Sequence, residues 1–80
     1  MIVELIDFAS DGSPTPEAMG DWHPEAIDGL RGYWEQTSVC SHGGTPHPCR
    51  LEYHTLPDGS DVIARFDCRG SIWKVLTIKP

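Results

Sequence analysis

Basic residues are scarce in this chain, with six Lys and Arg against twelve Asp and Glu and a formal charge of −6. Nucleic-acid binding depends on clustered cations, so this balance argues against a phosphate backbone as partner. Long apolar runs are lacking as well, and none approaches the length needed to cross a bilayer. The opening Met1-Ile2-Val3-Glu4-Leu5-Ile6-Asp7 places acids where a secretory signal carries bases, so the expected location is cytoplasmic, barring a leader already removed. No H-E-x-x-H, P-loop, Rossmann glycine pattern or G-x-S-x-G occurs, which removes the commonest local signatures of hydrolases, nucleotide binders and dehydrogenases. Paired C-x-x-C knuckles are also absent. Eight Gly and seven Pro interrupt the chain so often that every regular element must be short.

What is present is a single domain of 80 residues, with 39% hydrophobic and 22% charged residues and three Trp. That composition is globular. A domain of this size buries only roughly 60–65% of the surface its unfolded chain exposes, so the hydrophobic core is marginal and a staple is expected. Charge is segregated: residues 1–40 hold eight acids and the single base Arg31, while residues 41–80 hold four acids and five bases.

The fold class read from the pattern is α+β. The main helix is expected at about 24–36, beginning at Pro24-Glu25, with Ile27, Leu30 and Trp34 at spacings of three and four. Gly29 and Gly32 weaken it, so docking must supply much of its stability. A three-stranded antiparallel meander is expected at about 49–79, with runs at 49–56, 61–68 and 71–79 joined by Pro57-Asp58-Gly59-Ser60 and Arg69-Gly70. Residues 2–8 read as an added N-terminal strand, although Ile2, Leu5, Ile6 and Ala9 also line one side of a helix. Thr15-Pro16-Glu17-Ala18 has the form of a helix N-cap followed by Pro, ended by Gly20. Trp34 and Trp73 are expected between helix and sheet.

The segment Cys40-Ser-His42-Gly-Gly-Thr-Pro-His47-Pro-Cys49, with Cys68 further on, concentrates the residue types that bind zinc. A four-residue loop at 57–60 pairs Leu56 with Asp61 and sets Cys49 across from Cys68, at a separation that suits two thiolates on one ion. A three-residue loop bulged at Gly59 sets Cys49 across from Asp67 instead. Cys40 and His42, folding back through Gly43-Gly44, complete a Cys₃His zinc-stapled site, and His47 is the alternative imidazole. A Cys49–Cys68 disulfide and three reduced thiols are the competing readings. The odd cysteine and the lack of a secretion signal weigh against the disulfide. A catalytic zinc requires an open position and a proton-moving neighbour, with Glu52 and His54 on the adjacent strand the nearest such groups.

The function these features imply is a non-enzymatic zinc-binding interaction module. An accessory or inhibitor protein of a bacterial or viral system fits its size and acidity. Its partner is expected to be a protein with a basic surface, approached through Asp21, Trp22, Glu25 and Asp28, with Trp22 either the anchor or a cap on the core. Neither a membrane nor a small-molecule substrate is implied. The alternatives are a small zinc-dependent enzyme or thiol redox protein, and a nucleic-acid-binding domain of zinc-ribbon type. Arg50, Arg65, Arg69 and Lys74 supply only a modest basic strip for the last.

Overall fold

Ile2–Phe8, Asp61–Phe66 and Ile72–Lys79 are rich in β-branched and apolar residues, and each run forms a strand. The computed structural model describes residues 1–8, 12–40 and 44–80. In chain order the elements are β1 (Ile2–Phe8), β2 (Pro14–Asp21), α1 (Pro24–Thr37), β3 (Val39–Cys40), β4 (His47–Pro48), β5 (Leu51–Thr55), β6 (Asp61–Phe66) and β7 (Ile72–Lys79). One sheet has five strands in the order β2-β1-β7-β6-β5, and β3 and β4 form a separate two-stranded ribbon. All pairings are antiparallel. The α+β class is as expected, but the sheet has five strands where three, or four with the added strand at 2–8, were expected. The two extra strands come from the N-terminal segment, which docks on the free edge of β7.

The helical turn expected at residues 15–18 is instead part of β2. The edge of β1 offers unpaired backbone donors and acceptors, and pairing with it satisfies them. Pro14 and Pro16 face Phe8 and Ile6. Being two residues apart, they place both missing N–H groups on the same outer side, the one place a strand tolerates proline. A register shift between Val3 and Glu4 leaves Met19 as an extra residue, and Gly20, at φ 105°, provides the left-handed backbone beside it.

Helix α1 covers one face of the sheet. Pro24 occupies its first position, where the missing N–H costs nothing, after His23 as a cap whose side chain makes no capping bond. Ile27 and Trp34 lie buried against Val3, Ile63, Leu76 and Ile78, with Leu5, Trp22, Leu30 and Leu51 packed around them. Ile63 and Leu76 are fully buried neighbours on β6 and β7. Gly29 and Gly32 fall on the outer side, where an added Cβ meets nothing within 4 Å.

The C-terminal end of α1 is tied to the sheet by Arg65. Its Nε donates to Ser38 Oγ at 3.1 Å and its Nη2 to Thr37 Oγ1 at 3.3 Å, and its guanidinium lies 4.7 Å from the Trp34 ring centre and 5.9 Å from that of Trp73. Ser38 Oγ donates in turn to the carbonyl of Trp34. Among the described residues no carboxylate pairs with Arg65. The last turn of the helix carries no base of its own, so this cation from the sheet faces its partly negative end. Burial pushes the Arg65 pKa down. Trp73 sits at a bulge where Arg65 pairs with Lys74 and Phe66 with Ile72, and it is 40% exposed, so it is not the core residue expected.

Candidate metal centre

The β5–β6 connection decides what Cys49 meets. Thr55 pairs with Asp61 and Leu51 with Arg65, one residue away from the register that sets Cys49 against Cys68. Inside the loop Leu56 N–H donates to the Ser60 carbonyl at 2.8 Å and Gly59 N–H to that of Leu56 at 3.0 Å. Gly59 has φ 87°, and the Asp58 carboxylate accepts the Ser60 N–H at 2.8 Å. That hydrogen bond holds the Asp58 pKa down. That register is the one of the bulged-loop alternative, in which Asp67 and not Cys68 is counted opposite Cys49, although the pairing itself stops before Cys49. The expected cross-strand Cys49–Cys68 pair is therefore corrected.

Cys49 instead belongs with β3. Beyond Arg50, whose carbonyl still accepts Phe66 N–H at 2.9 Å, the chain leaves the large sheet, and Cys49 N–H donates to the Ser38 carbonyl at 2.8 Å. This bond continues the β3–β4 ribbon, in which Val39 pairs with Pro48 and Cys40 with His47. Cys40 and Cys49 consequently lie diagonally across the ribbon at disulfide distance, with Cα atoms 5.8 Å apart. Both are buried. The disulfide considered from the sequence joined Cys49 to Cys68; the sulfur beside Cys49 is that of Cys40.

Three further relationships converge on Cys40. The ligand atoms of Cys40, His47 and Cys68 all lie within 4.8 Å of one another. Cys68 N–H donates to Cys40 Sγ at 3.2 Å, which ties the β6–β7 turn to β3. His47 Nδ1 donates to the Thr45 carbonyl at 2.9 Å, which fixes the ring and leaves Nε2 as the lone-pair donor. Cys68 is exposed in the turn between β6 and β7, which Asp67 shapes by accepting Arg69 N–H at 2.9 Å and Ser71 N–H at 3.0 Å on one oxygen. Beside the cluster is an open depression of about 330 Å³ lined by His47, Pro48, Arg50, Asp67, Cys68 and Gly70. His42, the imidazole favoured by the sequence, lies outside the described residues; among the described residues His47 is brought to the sulfurs.

The remaining candidates are dispersed. Glu52 and His54 pair with each other at 3.1 Å on β5, and Glu52 also pairs with Arg50 at 3.1 Å. Both lie on the sheet face turned away from α1, since Tyr53 between them reaches Glu35 on the helix at 2.6 Å. Accepting that bond, Glu35 raises the Tyr53 pKa. The expected basic strip is likewise divided, because Arg65 is buried and Lys74 pairs with Asp7. Asp21 binds the Met1 ammonium at 2.7 Å, which lowers its pKa. Trp22 packs against the core and donates Nε1 to the Met19 carbonyl at 3.2 Å, which is the capping role rather than a fully exposed anchor. Glu25 and Asp28 are exposed on α1.

Arg65 is the structurally central residue that motif reading passed over. Strand alternation carried a signal, because it places Arg65 on the same inward face as Ile63. Among the described residues no helix is long and apolar enough to cross a membrane. No protein-family model, curated protein or solved structure matches this chain, so its chemistry is read from the geometry alone.

Proposed function

We propose that this chain is a small, non-enzymatic interaction module stapled by one Zn²⁺, held by Cys40, Cys49, Cys68 and His47. The observation that carries the reading is the convergence of Cys40, His47 and Cys68 within 4.8 Å, with Cys49 beside Cys40. Thiolates and a neutral imidazole with its other nitrogen committed to a carbonyl are the donor set zinc takes in structural sites. The ion joins the β3–β4 ribbon to the β6–β7 turn, tying both to a core too small to fix them by burial alone.

The surface for a partner is the acidic N-terminal half. Glu4 and Asp7 are matched by Lys79 and Lys74. Glu17, Glu25 and Asp28 are exposed and have no basic partner among the described residues. Such a surface suits a protein with a basic face, consistent with an accessory or inhibitor role in a bacterial or viral system. The test is metal analysis of the reduced protein, followed by affinity capture with zinc-loaded wild type and a Glu25→Lys/Asp28→Lys variant of equal melting temperature. Capture of the same basic protein by both chains refutes this surface.

A thiol redox protein is the second reading, favoured by Cys40 and Cys49 lying at disulfide distance.

A further inference from the structure

Cys40 belongs to two arrangements that cannot coexist. Its sulfur lies at disulfide distance from Cys49, and it also lies within 4.8 Å of the Cys68 sulfur and the His47 ring nitrogen. As a thiolate it can bind a metal; bonded to Cys49 it has lost that charge and most of its donor strength. The three sulfurs also differ in access: Cys40 and Cys49 are buried, whereas Cys68 is exposed in its turn beside the open depression.

From this juxtaposition we infer that Cys68 is the site of first oxidation in a thiol relay through which a hydroperoxide converts Cys40 and Cys49 to a disulfide and releases the zinc. The inference rests on the zinc reading above.

The chemistry balances in three steps. The Cys68 thiolate attacks the peroxide O–O bond, giving Cys68 sulfenic acid and one hydroxide. The Cys40 thiolate then attacks the Cys68 sulfur, forming a Cys40–Cys68 disulfide and expelling the second hydroxide. Finally the Cys49 thiolate attacks the Cys40 sulfur, forming the Cys40–Cys49 disulfide and returning Cys68 as a thiolate. Two thiolates have lost two electrons, and hydrogen peroxide with two protons has become two waters. The metal is left with His47 and Cys68, too few donors for a closed structural site.

Exposure supports Cys68 as the first sulfur to meet the peroxide, because the oxidant must reach the sulfur that attacks it. Proximity supports the transfer, since Cys68 N–H already contacts Cys40 Sγ at 3.2 Å. The end point is the buried pair, whose sulfurs the β3–β4 ribbon holds side by side.

The test uses reduced, zinc-loaded chain and hydrogen peroxide, with released zinc followed by a chromogenic chelator and disulfides located by peptide mass mapping. About one zinc per chain should be released as the Cys40–Cys49 link accumulates, and Cys49→Ser should stop at Cys40–Cys68. Since Cys68→Ser also removes a metal ligand, that variant is compared with wild type as reduced, metal-free protein, where its Cys40–Cys49 disulfide should form at least about tenfold more slowly. Equal rates in that comparison overturn the relay, and zinc retained after the Cys40–Cys49 bond has formed overturns the release. A reduced wild-type chain that takes up no zinc defeats the underlying metal reading and the release with it, while the metal-free comparison still decides the order of the sulfurs.

Discussion

The backbone N–H of Cys68 donates to the Sγ of Cys40 across 3.2 Å, joining residues 28 apart in sequence. The bond brings the β6–β7 turn to the short ribbon that follows the helix. Zinc, on this account, reinforces a contact between segments that the backbone has already placed together.

On the proposed reading the imidazole ligand is His47. His47 pairs with Cys40 in the ribbon and is oriented by Thr45. His47→Ala should weaken zinc binding by more than the ~10–100-fold typical of losing a residue that merely orients a ligand, whereas His42→Ala should cost less. Competition titration with a chelator of known affinity measures both. A larger loss for His42→Ala reassigns the ligand.

Arg65 should matter to stability as much as a large core residue does. Arg65→Ala removes two hydrogen bonds at the helix end and a stacked cation, so a loss of about 2–4 kcal/mol is expected. Arg69→Ala, at an exposed position in the turn, should stay within about 0.5 kcal/mol of wild type. Denaturant unfolding gives both values, and equal small effects contradict the role given to Arg65.

Acid should weaken the link between helix and β6. Arg31 and the Thr55 hydroxyl hold the Asp61 pKa below its ordinary value through bonds of 2.8 and 3.1 Å. A carboxyl with a depressed folded pKa contributes stability that is complete above its unfolded value of about 3.9 and is lost as pH falls through the folded value. The stability difference between wild type and Asp61→Asn should therefore be full near about pH 5 and shrink toward about pH 2.5. A difference that is constant across that range contradicts the coupling.

The outer edge of β2 is closed to further pairing by Pro14 and Pro16. Replacing both by Thr restores outward N–H donors and should shift the chain toward larger species in sedimentation velocity, relative to the parent at equal concentration. An unchanged distribution means that something else protects this edge.

Much of the fold is legible in the sequence because its signals are local. Ile27, Leu30 and Trp34 mark the helix, and β-branched runs bounded by turn residues mark β1, β6 and β7. β2 was not legible, since Thr15-Pro16 resembles a helix start and only the docked edge of β1 makes an extended chain the better solution. The candidate metal cluster was legible as a concentration of Cys and His, but its wiring was not. One residue of loop length moved Cys49 away from Cys68, and the ribbon that sets Cys40 beside Cys49 is two residues wide and includes Pro48, too short to leave a periodic trace. Arg65 was read as part of a basic strip rather than as a buried residue, because an inward charge on a strand breaks the expected pattern and only the helix end above it supplies the reason.

The most direct test of the zinc staple is native mass spectrometry of the reduced protein, with circular dichroism before and after chelation. The account predicts about one zinc per chain and loss of the cooperative melt when the metal is removed. A reduced chain that carries no zinc and melts cooperatively at the same temperature with and without chelator contradicts it.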